Sequence, residues 1–160
     1  MQLKRNKYQD IEKELLKAKT AVQNFSKAID FPFLEIYKNI VMQIKTAEIS
    51  ADCILYNSFE SFNETKEFVN KSFWCFSGDG QGNRWLFDKA GMVFYYDHDY
   101  DEGFDAMEIN FEQWLQMADL SKQLDDYIEN ERMTDTIRNE FHNLLKQIHP
   151  NLSEKYPFLI

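Results

Sequence analysis

The stretch from Trp74 to Asp99 constrains the fold more than any other part of this chain. The runs Trp74-Cys75-Phe76-Ser77 and Trp85-Leu86-Phe87 flank a glycine turn, Gly78-Asp79-Gly80-Gln81-Gly82. Lys89-Ala90-Gly91 supplies a second turn, and Val93-Phe94-Tyr95-Tyr96 a third run. Aromatic and β-branched runs separated by glycine-bearing turns predict a three-stranded antiparallel meander. The glycines do not make a nucleotide loop. A phosphate-cradling G-x-G-x-x-G follows a strand and opens a helix, whereas here Gly82 leads into the strand-like Asn83-Arg84-Trp85-Leu86-Phe87.

The same residues carry a family resemblance. Trp74, Phe76, Gly78, Gly80, Gly82, Trp85 and Asp88, then Gly91, Val93, Tyr95, Asp97 and His98, then Phe111 and Leu115, make a pattern that resembles the SUKH superfamily of bacterial immunity proteins and their relatives. The resemblance covers residues 73–118. Upstream, Phe31-Pro32 stands where the family carries Leu-Pro, but no Asn-Gly turn follows it. The resemblance implies an α+β domain without catalysis that neutralises a toxin by binding it. It equally implies an alternative, a housekeeping scaffold akin to the superfamily's cell-wall-synthesis regulators.

Periodicity outside the meander predicts helices. Ile11, Leu15, Ala18, Val22 and Phe25 recur at steps of three and four, predicting an amphipathic helix over 8–26. Asp30 is placed to cap a second helix with Pro32 in its first turn and Phe33, Ile36, Tyr37, Ile40, Val41 and Ile44 on its apolar face. Ala51–Tyr56 reads as a short strand. Ser61 with Glu64 suggests a capping box opening a helix to Lys71, with Phe62, Phe68 and Val69 inward. Asn110 with Gln113 opens a helix whose Phe111, Trp114, Leu115, Ala118, Leu124, Tyr127 and Ile128 share one side. Thr134 opens the last helix, with Ile137, Phe141, Leu144, Leu145 and Ile148 buried, and Pro150 stops it. Helices at both ends of a central antiparallel sheet give a single α+β domain over residues 1–160.

Composition bounds the function. Eighteen basic against 27 acidic residues give a net charge of −9, which opposes a phosphate backbone or an anionic membrane and favours a basic protein partner. No apolar run resembles a signal peptide or a membrane span, so a cytoplasmic protein is expected. Cys53 and Cys75 lie outside any C-x-x-C or zinc spacing and read as buried free thiols. No cofactor and no metal is expected.

The window Asp97–Glu108 holds six carboxylates, Asp97, Asp99, Asp101, Glu102, Asp105 and Glu108, and admits three readings. It places oxygens at positions 1, 3, 5, 9 and 12 of a calcium loop, but Glu102 occupies the glycine position and a strand-like segment precedes it. It reads equally as a solvated acidic loop. The favoured reading makes it a docking surface whose negative field steers a basic partner, with Tyr95 and Tyr100 as aromatic anchors. The resemblance strengthens that reading and points to a basic toxin domain, such as a nuclease.

Enzyme readings lack parts. His98 between two aspartates has no serine or cysteine in a nucleophile setting beside it, and Ser77 lacks the G-x-S-x-G arrangement. Paired acids are too abundant in this chain to point to glycoside hydrolysis. Trp74, Trp85 and Trp114 read as core, Met92, Met107 and Met117 as gap fillers, and His149 as a residue at a helix C-terminus. Gly78, Gly80, Gly82 and Gly91 are expected to serve turns with positive φ.

Overall fold

The computed structural model describes residues 2–68, 70–100 and 103–160. Six strands form one sheet in sequential order, each antiparallel to the next: β1 (Ala47–Ser50), β2 (Cys53–Leu55), β3 (Phe73–Gly78), β4 (Arg84–Asp88), β5 (Met92–Tyr96) and β6 (Phe104–Asn110). The meander read from sequence is therefore the centre of a wider sheet. Side chains alternate across it. Trp74, Phe76, Trp85, Phe87, Val93 and Tyr95 face the main core, while Cys75 and Leu86 face a smaller one with Tyr56.

Helices α2 (Glu35–Val41) and α4 (Phe111–Glu129) bring aromatic side chains against the main face. Phe76 stacks on Phe87 with ring centres 4.8 Å apart, and Tyr37, Phe111 and Trp114 meet this pair edge-on. Helix α1 (Tyr8–Leu16) packs on α4, as does α5 (Asp135–Ile148), followed by the short α6 (Leu152–Lys155). The opposite face is covered by α3 (Ser58–Lys66), which packs on β3. Because the central strands are buried on both faces, their sequences are continuous apolar runs with little alternation. The class is α+β, as the sequence implied, with helices on both sides of the sheet as well as at its ends.

Helix starts set by a capping side chain match their sequence signals. Asn110 accepts from Gln113 N while Gln113 returns a bond to Asn110 N, and Thr134 accepts from Ile137 N. Ile128, expected inward on α4, is half exposed at the helix end. The N-terminal boundaries differ more. The first helix ends at Leu16, ten residues early, because Thr20 N and Gln23 N donate to Gln43 O and Met42 O. Those bonds hold residues 19–23 extended along the end of α2 and leave Val22 exposed.

The second helix starts at Glu35, because Phe31 and Phe33 are used as extended packing residues against Trp74. Asn57, not Ser61, caps α3, and Ser61 is buried inside it with its hydroxyl on Ser58 O. Val69 lies outside the described residues. The strand read over 51–56 is the second arm of a hairpin, with Ala51-Asp52 as its turn and β1 before it. Strand β6 was hidden in the acidic window.

Of the four glycines given to positive φ, Gly82 (+99°) and Gly91 (+82°) have it. Gly78 is instead a close-approach position, where a Cβ would collide with the Tyr56 hydroxyl, and Gly80 meets nothing. Both cysteines are buried and free. Met107 and Met117 fill core space, while Met92 is partly exposed. No helix among the described residues is long and apolar enough to cross a membrane.

The buried contact between Trp74 Nε1 and Tyr37 Oη, 2.9 Å long, joins the sheet to α2. Tyr37→Phe removes the acceptor and leaves the indole N–H unsatisfied, which is expected to cost about 1–3 kcal/mol. Urea unfolding checks this: the midpoint should fall with no change in slope.

Candidate functional site

Sequential antiparallel order sends alternate connections to opposite ends of the sheet. The β1–β2 turn, the β3–β4 turn and the β5–β6 loop therefore share one end. They carry Asp52, Asp79, Asp97, Asp99 and, at the start of β6, Asp105. Helix α4 adds to this end, since Asp125 Oδ2 accepts from Ala51 N at 3.1 Å. The last turn of α4 carries no basic residue, although a helix C-terminus attracts cations. Five acids from separate parts of the chain thus converge with Asp125, of which the sequence reading singled out only Asp97, Asp99 and Asp105.

Like charges and burial perturb this end. Burial, then the charges of Asp125 and Asp79, push the Asp52 carboxyl up to about 6. Burial also raises Asp125, opposed by the Ala51 N–H and assisted by Asp126 and Glu48. Asp79 is buried and spends its charge on the β3–β4 turn, accepting from Gln81 N, Asn83 N and Asn83 Nδ2 at 2.8–3.1 Å. With Asn83 Nδ2 committed to Asp79, Asn83 Oδ1 faces His98 and accepts from both His98 N and Nδ1. That network assigns the Nδ1 proton to His98. The imidazole lies over Gly82, where a Cβ would sit 3.4 Å from Nδ1. His98 is thereby a latch between two turns.

The remaining residues of the sequence pattern have packing roles of the same kind. Trp85 Nε1 donates to the Asp52 backbone oxygen at 3.0 Å, and Asp88 Oδ1 accepts from Ala90 N and Met92 N to close the turn at Gly91. Ser77 is fully buried and donates to Ile54 O at 2.6 Å, so it is no nucleophile. His142 Nδ1 lies 2.8 Å from Ser153 Oγ, and no carboxylate among the described residues hydrogen-bonds its ring.

An open cleft of about 560 Å³ lies at the acidic end, between the β5–β6 loop and the C-terminal segment. Tyr95, Asp97, Tyr100, Gly103 and Asp105 form one wall, and Glu154, Lys155, Tyr156 and Pro157 the other. Four of the eight residues expected to bind a partner meet here. Tyr100 is 69% exposed, as an anchor requires. Tyr95 is 6% exposed and packs on Trp85 and Phe158, so it is a wall of the cleft and not a protruding anchor.

Glu108 departs from the expectation. It sits in β6 at φ +61°, within the register shift opposite β5, and its carboxylate accepts from Asn151 Nδ2 at 2.7 Å. That bond lowers its pKa and ties β6 to the chain between α5 and α6. Asp101 and Glu102 lie outside the described residues. A helix–loop–helix calcium hand does not form, because β5 enters the window and β6 holds its positions 8–12. Asp97, His98 and Asp99 bring ligand atoms within 4.8 Å of one another, but the Asp97 and His98 atoms that face the protein are engaged by Asp99 N and Asn83.

Sequence reasoning passed over Asp52 and Asp79 because each stands alone in its segment, and over Asp125 because beside Asp126 it reads as solvated helix surface. The Asp79-Gly80 dipeptide was the available turn signal. A second groove of about 510 Å³, between residues 23–29 and α3, is lined by Phe25, Ile29, Phe59 and Phe62 and was not foreseen.

The sign of the Asp52 effect is testable. Its folded pKa is above the value near 3.9 of an unfolded aspartate, so the ionised form destabilises the fold. The penalty is full above pH 6 and disappears as pH falls toward 4. After allowance for solvent screening, Asp52→Asn should add about 1 kcal/mol at pH 7, raising Tm by about 2–4 °C. Melting both proteins across pH 4–8 should show the gap closing toward pH 4.

No family model, no curated protein and no solved structure matches the chain.

Proposed function

We propose that this chain is a non-catalytic protein-binding domain of SUKH type, an immunity protein that neutralises a toxin domain by docking its acidic sheet end on a basic surface. The carrying observation is the convergence of Asp52, Asp79, Asp97, Asp99 and Asp105 at one end of the sheet, beside an α4 terminus that lacks a basic residue. A fold that gathers like charges at a cost in stability has an arrangement suited to an external cation. The net charge of −9 supports the same partner class and opposes nucleic acid. Support for the SUKH reading comes from the motif positions themselves: Trp74, Gly78, Gly82, Trp85, Asp88, Gly91 and His98 all lie on the three central strands or their turns, each with a defined contact. Such a partner is met in the bacterial cytoplasm.

The acids at the cleft and the turn are exposed enough to reverse without entering the core. Replacing Asp97, Asp99 and Asp105 together by lysine is expected to leave Tm within about 2 °C and to weaken the partner at least about 100-fold, mostly through slower association and lost salt dependence. Affinity capture from the source cell with both forms checks this. A basic toxin-like domain recovered by wild type alone supports the reading. Resident proteins recovered equally by both forms would replace it with the housekeeping scaffold.

A further inference from the structure

The longest stretch without a helix or strand, residues 17–34, forms one wall of the apolar groove whose other wall is α3. Connections of more than about 12–15 residues are uncommon inside a domain and are usually functional. This one is tied down at both ends. Gln23 N donates to Met42 O and Gln23 O accepts from Ser58 Oγ, while Phe31 and Phe33 pack on Trp74. Between these anchors, Asn24 and Phe25 make no hydrogen bond among the described residues. The groove of about 510 Å³ beside them adjoins a second cleft of about 210 Å³, and Ile29 and Phe62 belong to both. Phe59 stands 66% exposed at the first cleft. Charge is sorted along the pair, with Glu60 at the first cleft and Lys66 and Lys71 at the second, where Asp30 lies on the loop wall. Neither lysine joins a salt bridge among the described residues, and Lys66 Nζ lies 4.8 Å from the Phe62 ring centre.

We propose that these two clefts take an extended segment of a partner protein, with one large apolar side chain in each cleft and a carboxylate beyond them on Lys66 and Lys71. The surface does not depend on the docking reading above and selects the opposite charge. It lies toward the other end of the sheet, since its second cleft reaches Phe73, where β3 begins, and the acidic turn follows Gly78, where β3 ends. An extended chain supplies main-chain donors and acceptors to Asn24 and Phe25, and adjoining clefts read its side chains, as in strand addition. A lipid tail supplies neither. The dimensions agree. Phe59 and Lys66 stand seven residues apart on α3, about 10 Å along its axis, which is the length of about three residues of extended chain. Apolar residues at i and i+2 point to one side of such a chain, so both reach the groove. The two lysines then favour acids next in line, and Glu60 opposes them at the far end.

The test uses the full chain, isotope-labelled, titrated with the capped peptide Gly-Leu-Ser-Leu-Glu-Glu-Gly and with the same residues in reversed order. Saturable amide shifts at Asn24, Phe25, Ile29 and Phe62 are expected with one of the two, at least about tenfold weaker binding when its glutamates become lysines, and none when its leucines become serines. Phe59→Ser, and separately Lys66→Glu with Lys71→Glu, should each weaken that peptide at least about fivefold while Tm stays within about 2 °C, because all three side chains are exposed.

No saturation by either order at millimolar peptide would overturn the proposal, and so would equal binding of the glutamate and lysine versions. Dodecanoate saturating the same amides while both peptides fail would make the groove a site for a lipid carboxylate instead. A dimer in sedimentation that Phe59→Ser abolishes would assign the groove to a second copy of the chain and likewise overturn it.

Discussion

The Phe76–Phe87 stack is the contact on which the other layers depend. It sits where β3 and β4 cross the middle of the sheet, and rings from α2 and α4 reach it edge-on through Tyr37, Phe111 and Trp114. Edge-to-face contacts specify orientation as well as burial, so each helix is fixed in rotation and in position. The Tyr37 hydroxyl then satisfies the indole of Trp74, letting two large polar-tipped rings be dry together. Once this block is set, the strand order follows from connections between sequence neighbours, the one from β2 to β3 carrying α3.

That order has an electrostatic result. Three connections leave the sheet at one end, and they carry aspartates whose mutual repulsion is tolerated because Asp79 spends its charge on backbone and amide donors. The Asp79–Asn83–His98 chain holds the β3–β4 turn against the start of the β5–β6 loop. It fixes the base of the cleft wall that begins at Asp97. The stress left over appears at Asp52 and Asp125, the half-buried members of the group.

How much of this was legible depended on the range of the interaction involved. Strands β3 to β5 were readable because their turns are coded locally by Gly82, Asp88 and Gly91. Helices α4 and α5 were readable because Asn110 and Thr134 cap them with their own side chains. The first helix was overextended because the bonds that end it come from Met42 and Gln43, more than 18 residues away. Strand β6 was missed because its pattern is broken by the left-handed Glu108 and masked by charge. The site was half visible. Acids adjacent in sequence stood out, whereas Asp52, Asp79 and Asp125 become neighbours only through the sheet topology.

The bond from Trp85 to position 52 runs to a backbone oxygen, so the fold grips that turn without reading its side chain. The same is true of Asp105, whose strand pairing with Tyr95 uses main-chain groups. Identity at these positions is therefore free to drift while geometry is retained. Positions 52 and 105 can be rewritten one at a time, and the aromatic block behind them need not record the change.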